Sequence, residues 1–460
     1  MKTKIRIGAI LCLLMGMLVM EPSQILAQSG TTQGQDFWVT FGGNNIAGAS
    51  DLTLQIKIVA SKATTVTFTY TDDGETKTES IAAGGVNIFN PTKSRVFTNT
   101  SGTTSQSLHI HSTEAVSVYA MNQYSGSSII STDATNILPE NALGKNYYHL
   151  SYAPSSKDGY TVIATKDNTV VSENGTKKAT LNKGGVYSNY GAADKTGTHI
   201  TSNKPIAYFV TNKAAQVPSG GDNVSCLFQQ LYPANTWGKT FFVPVIPRES
   251  VLRGTQRVRI LASEDGTTIT QSGGILQQVT GGQNSLSPLN AGEFVELLVD
   301  TEKGCYISST KPVAVCSYHI SHTSTYIASA QPDMAWIPPF EQSVTSTNAV
   351  AFELKETTGN HYAMIVTPTA TCNSTKMGTN TLTTGWTDDK SGYSFRKEEL
   401  GSNSASSISN PYGLVVLVYG EGSVNGKYES YYYPASSGAA ITVPETSKTY
   451  LQVNPNKIRW

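Results

Sequence analysis

Charge is scarce in this chain. Charged residues make up only 14% of 460, and Lys plus Arg balance Asp plus Glu to a formal net charge of zero. A nucleic-acid binder concentrates Lys and Arg on one face, and nothing here does so. Long apolar runs are missing beyond the N-terminus, so no transmembrane segment is expected. The one apolar run, Ile7 to Met20, follows Lys2, Lys4 and Arg6 and precedes Pro22, Ser23 and Ala27. That is the layout of a secretory signal over residues 1–27, and it predicts an exported protein, extracellular, at the cell surface or periplasmic. Cys12 lies inside this run rather than just after it, which argues against a lipoprotein.

Cysteine is also rare. Cys226, Cys305, Cys316 and Cys372 remain after the signal, and an oxidising compartment would permit pairing among them. If Thr310 and Lys311 form a hairpin turn, Cys305 and Cys316 face each other and can bond; alternatively the segment crosses between two sheets. A third reading makes Cys316 and Cys372 small buried hydrophobes. Helical periodicity never persists beyond two turns, and no nucleophile elbow, phosphate loop or Cys-His pair in a catalytic context is present.

What the chain does have is repetition. One pattern reads IVASKATTV from Ile58, VIATKDNTV from Val162, ILASEDGTT from Ile260 and MIVTPTATC from Met364. A second follows it as LHIHSTEAVSVY, THITSNKPIAYF and CYISSTKPVAVC, then in shortened form as NPYGLVVLVYG, with Pro205, Pro312 and Pro411 read as falling in step. A period of roughly 100 residues is the size of a small domain rather than of a solenoid repeat. The units are placed at 28–136, 137–230, 231–336 and 337–460. Within each, short β-branched runs alternate with turn residues such as Asp72-Asp73-Gly74 and Asp265-Gly266, as in a β-sandwich. The fold expected is all-β: four tandem sandwich-like units packed as one rigid body, with a closed β-propeller as the alternative. The junctions LPENALGKNYYH and YPANTWGKTFFV carry aromatics that need burial. Trp237, Phe241 and Phe242, then Trp336 and Phe340, are expected between neighbouring units.

These segments resemble the N-terminal domain family of the IgGFc-binding protein, a domain of animal mucus proteins and of bacterial exported proteins. The matching stretches are QGQDFWVTFG (Gln33–Gly42), VIATKDNTV, TGTHITSNKPIAYF (Thr196–Phe209) and CLFQQLYPANTWGKTFFV (Cys226–Val243). ILASEDGTTI, LNAGEFVEL, SSTKPVAVCSY, QPDMAWIPPFEQ and PYGLVVLVYGEG with ESYYYP continue the match, so that 28–435 together resemble the domain. The resemblance implies a non-enzymatic extracellular β module with a binding or adhesive role, and carries over no binding residue.

Candidate chemistry is thin. His109 and His111 share a strand face as metal ligands could, yet His109 aligns with His199 and Tyr306, and His111 with Thr201 and Ser308, so the pair does not follow the repeat as a site would. His319 and His322, near Cys316, read as exposed loop histidines. Asp167, Asp265, Asp72 and Asp73 are expected to build turns rather than a calcium cage. Glu398-Glu399 and Asp388-Asp389 are adjacent pairs whose members point apart on a strand, unlike the facing acids of a glycosidase. Tyr428, Tyr431, Tyr432, Tyr433, Tyr393, Tyr412 and Tyr419 are expected to divide between core and sheet edge. Catalytic, cofactor and metal sites are therefore all expected to be absent. The expected function is binding or adhesion toward an extracellular protein or glycoprotein, with no nucleic acid. A glycan-acting enzyme or a structural spacer of a surface assembly is the alternative.

Overall fold

The computed structural model describes residues 32–45, 52–126, 129–221, 223–246, 256–299, 303–320, 331–354, 359–424 and 427–438. The signal segment and His322 lie outside them. The described chain is all-β, apart from short 3-10 turns.

Each unit is organised around one long strand: Leu108–Ser125, His199–Ala215, Cys305–His319 and Ala405–Val424. In the second unit, the first half of the long strand pairs with Gly144–Tyr148 and with Thr169–Glu173, which also carries Thr176–Leu181. The second half pairs with Asp158–Ala164 and Ser225–Gln230, and Asp158–Ala164 continues to Val186–Gly191. Two antiparallel sheets thus share one strand that bends from one to the other. The same pairings recur in the other three units, the third lacking the outer hairpin strand of its first sheet among the described residues.

Both repeated sequence patterns meet at that bend. Ser112, Ser202 and Ser309 each donate a hydroxyl hydrogen bond of 2.7 Å to the carbonyl two residues on. Asn410 takes this place in the last unit by accepting from the Tyr412 amide at 2.9 Å. Such local bonds offer the backbone a turn in place of the ladder. Thr165, Ser263 and Thr367, all from the first pattern, then donate to the carbonyls of Pro205, Pro312 and Gly413 at 2.9, 3.1 and 2.8 Å. The position of Pro205 and Pro312 is therefore filled by Gly413, at φ 101°, and not by Pro411. The alignment on proline slipped by two residues because the last unit turns its bend with glycine rather than proline.

Since the long strand bends and does not reverse, Cys305 and Cys316 lie far apart along one strand and point into different cores. They form no disulfide, and the four cysteines among the described residues are free and buried. Burial pushes the Cys305 thiol up to about 12 and raises those of Cys226 and Cys316. We expect these thiols to resist alkylation in native buffer and to react fully in denaturant. An intact mass lower by one disulfide (about 2 Da) would contradict this.

Junction prolines explain the shared spacing in the linking segments. Pro139, Pro233 and Pro339 each open a 3-10 turn and pack on a strand-opening glycine. A Cβ at Gly34, Gly144 or Gly238 would lie 2.3, 2.4 or 2.4 Å from the proline Cβ. Overpacking of this kind costs about 1–3 kcal/mol, so Gly144→Ala should lower the urea midpoint; an unchanged midpoint would show that the contact can open.

Four cores bury the apolar faces, and each draws on two neighbouring units. The first joins Ile56 and Phe68 to Phe209 and Phe228; the second joins Tyr160 and Tyr208 to Tyr318 and Trp336. The third joins Val258 and Phe242 to Met364 and Tyr432. The fourth joins the last unit back to the first, with Tyr433 and Phe352 against Tyr119 and Met121. There Tyr119 donates to the Ala435 carbonyl at 2.9 Å, and Lys57 Nζ to the Ala351 carbonyl at 2.6 Å. The units therefore close into a cycle. The two-sheet unit follows the repeat pattern, whereas the closure belongs to the alternative architecture. As expected, Trp237, Phe241, Phe242, Trp336 and Phe340 are buried.

The last-paired strands of the units, Ile130–Ile137, Ser225–Gln230, Met334–Trp336 and Lys427–Pro434, pack on one another from unit to unit and so line the inside of the cycle. Ile130–Ile137 is buried throughout although it carries Ser131, Thr132, Asp133, Thr135 and Asn136. Its polar groups bind the neighbouring inner strands: Asp133 Oδ2 accepts from the Phe228 and Met334 amides at 2.9 and 3.3 Å. In Lys427–Pro434, Tyr431 and Tyr433 enter the fourth core while Tyr432 enters the third. Both faces of that strand are interior, so none of these three tyrosines covers an edge.

Candidate functional site

Most of the candidate residues prove to have structural partners. Asp36, on the strand beside His109 and His111, places one carboxylate oxygen 3.2 Å from His109 Nε2 and 2.9 Å from His111 Nδ1. The shared histidine face is real, and the carboxylate that joins it comes from a strand some 75 residues away. Among the described residues, no group of three or more His, Cys, Asp or Glu is arranged to hold a metal ion. Asp167 accepts from the Lys183 amide and Asp265 from the Ala291 amide, both at 2.9 Å, tying the corner to the next hairpin as turn-builders do. Asp72 and Asp73 pair with Arg95, whose guanidinium lies over the Tyr70 ring at 3.9 Å.

Asp388 and Asp389 accept from the amides of Lys390 and Ser391 at 2.8 and 2.9 Å. Glu398 pairs with Arg396, while Glu399 is exposed. Of the remaining tyrosines, Tyr419 is buried, Tyr393 and Tyr428 are half-buried, and Tyr412 is exposed. His319 departs from expectation. It is buried on the long strand rather than exposed in a loop, it contacts Asp333, and it stacks on Tyr432 with ring centroids 4.5 Å apart. The strand continues further than the local polar sequence suggests because the last unit covers it. Asp333 also faces Asp133, whose carboxyl is pushed well above its ordinary range by burial and then by that neighbour.

The strongest electrostatic feature joins the second and third units. Arg259 is 2% exposed and sits mid-strand in QRVRILA, at the position Lys57 holds in the first unit. Its Nε donates to Glu296 Oε2 at 3.0 Å. Its Nη1 donates to Asp194 Oδ2 at 2.7 Å, the Ser151 carbonyl at 2.9 Å and Thr196 Oγ1 at 3.0 Å. Burial pulls the guanidinium pKa down, but Asp194 and Glu296 outweigh it and raise it above its ordinary value. Tyr152 completes the group by donating to Glu296 Oε1 at 2.8 Å. Lys57, with fewer partners, is brought down to about 8 by burial, against the pull of Glu353.

Beside this network lies a cleft of about 250 Å³. The second unit contributes Tyr152 and Ser219, the third Arg257, Gln278, Thr280 and Glu296. A guanidinium, hydroxyls and an amide around a concavity can receive a polar ligand. Sequence reading passed over Arg257, Arg259 and Glu296. The available signal was charge inside the apolar runs QRVRILA and FVELLV, where an ordinary strand would carry none.

No curated protein matches the sequence. A solved structure described as the BSP domain of a biofilm associated protein aligns with 91% of this chain and 98% of its own at 7% identity. Its TM-score is 0.14, which carries no argument about fold or function. Among the described residues, no helix is long and apolar enough to cross a membrane. The family model for the IgGFc binding protein matches residues 133–420, from the last strand of the first unit through most of the fourth. With more than half of its length covered by that match, the chain belongs to the IgGFc-binding family.

Proposed function

We propose that this protein is exported, performs no catalysis, and binds a protein or glycoprotein at the cell surface or in mucus-like surroundings. Family membership is the observation that carries the reading. It is supported by the use of buried charge, since Arg259, Glu296 and Asp194 neutralise one another and tie one unit to the next. A cooperative, ring-closed body offers a stiff surface, and stiffness lowers the ordering cost of binding.

The test is a screen of the mature chain against immobilised glycans and host proteins, immunoglobulin Fc included, with a parallel assay for glycan hydrolysis. Saturable binding to at least one target, on the order of micromolar or tighter, is expected without turnover. Turnover with no stable binding would replace this reading with an enzymatic one.

A further inference from the structure

We propose that the cleft between the second and third units binds the carboxylate of an acidic sugar, a uronic or sialic-type acid at the end of a glycan, and that Arg257 takes that carboxylate. The proposal rests on the binding function above and names a ligand class for it.

Arg257 is the least engaged cation of the network, held to Glu296 by charge alone. Its Nε is closed off from solvent and has no hydrogen-bond partner. The nearest acid, Glu296 Oε1, is 3.7 Å away, too far for a hydrogen bond. Glu296 is already engaged by the Tyr152 hydroxyl and by Arg259, and Arg259 by Asp194. A buried donor left unmet is costly, and a guanidinium fork matches a carboxylate in two parallel hydrogen bonds.

The repeat sharpens the point. The positions equivalent to Arg257 are Gln55, Gly159 and His361, so the fold of the unit does not require a guanidinium there. Arg257 stands on a strand inside a sheet, the rigid support a precise contact needs. At the rim, Ser219, Gln278 and Thr280 are exposed and offer hydroxyl and amide groups to sugar hydroxyls. The volume, about 250 Å³, is at the low end for ligand pockets (roughly 300–1,000 Å³) and suits one sugar ring better than a folded peptide.

The experiment is an NMR titration of the mature chain with N-acetylneuraminic acid and glucuronic acid, set against their methyl esters and galactose. The acids should shift the Arg257 Nε–H resonance and bind at least about tenfold tighter than the esters, the loss expected when a charged hydrogen bond is removed. Arg257→Gln should lose about tenfold or more, and Arg257→Lys should recover only part, lacking the fork. Equal binding of acid and ester, or unchanged affinity in R257Q, would overturn the assignment. The ester comparison uses the wild-type chain and stands even if R257Q fails to fold. If R257Q keeps a glycoprotein found in the screen, the cleft is wrong and the adhesive function survives. If the acids bind through Arg257 while the screen finds no macromolecule, the cleft is right and the adhesive function falls.

Discussion

Replacing Arg259 with methionine should cost about 3–5 kcal/mol of folding stability, the range for removing one member of a buried ion pair. The loss comes from what remains: Glu296, fully buried, and Asp194, mostly buried, would keep their charge without their cation. A second replacement that removes Glu296 as well, R259M/E296L, should recover much of the loss, because apolar residues of similar volume often substitute for a buried pair at no net cost. Equilibrium denaturation of both variants measures this. A double variant no better than R259M would show that packing, not charge, is what Arg259 contributes.

The same contact sets a pH dependence. Burial would raise the Asp194 carboxyl, but Arg259, by charge and hydrogen bond, outweighs it and holds the group below its ordinary value. A folded pKa depressed in this way contributes stability that is complete above the unfolded value, about 4, and is lost as pH falls through the folded value. The deficit of R259M relative to wild type should therefore be largest near neutral pH. It should shrink on acidification, as the stranded carboxylates in the variant take up protons.

Deleting the fourth unit, residues 337–460, should abolish cooperative folding of the remainder rather than leave three stable units. The closed cycle means that this deletion uncovers two faces. On the first unit alone it exposes Val59, Tyr119 and Met121. At about 1.5–3 kcal/mol for each large apolar side chain, those residues account for roughly 5–9 kcal/mol. That is comparable with the whole stability of a domain, about 5–15 kcal/mol. The third unit loses the Met364, Leu417 and Tyr432 side of its core as well. The full chain should melt in a single transition, and the truncated chain should aggregate. A truncated protein that melts like the full one would refute the cooperative ring. So would limited proteolysis with early cuts near Ala142 and Asn235 that release stable fragments of about 100 residues.

Local chemistry made the unit readable. Val162 to Ala164 is β-branched and small, Asp167 and Asn168 turn the chain, and Thr165 caps the bend of the long strand. Each of these acts within its own unit, and the pattern recurs because the unit does. The all-β class, the number of units and the burial of the junction tryptophans followed from such residues. The failures share the opposite property. The polar sequence around His319 points to a loop, yet its cover comes from Tyr432, more than a hundred residues later. For Cys305 and Cys316 the spacing allows a hairpin, a crossing between sheets or simple burial, and only tertiary structure selects the crossing, which separates them into two cores. The carboxylate beside His109 and His111, the partners of Arg259 and the return of Tyr433 to Tyr119 all join segments remote in sequence. By itself the sequence determined that the chain is built of four related β units, because turn residues, strand periodicity and caps act over a few residues. Tertiary structure alone decided that the units close on themselves and which buried charges find partners, because burial and ion pairing depend on which distant surfaces meet.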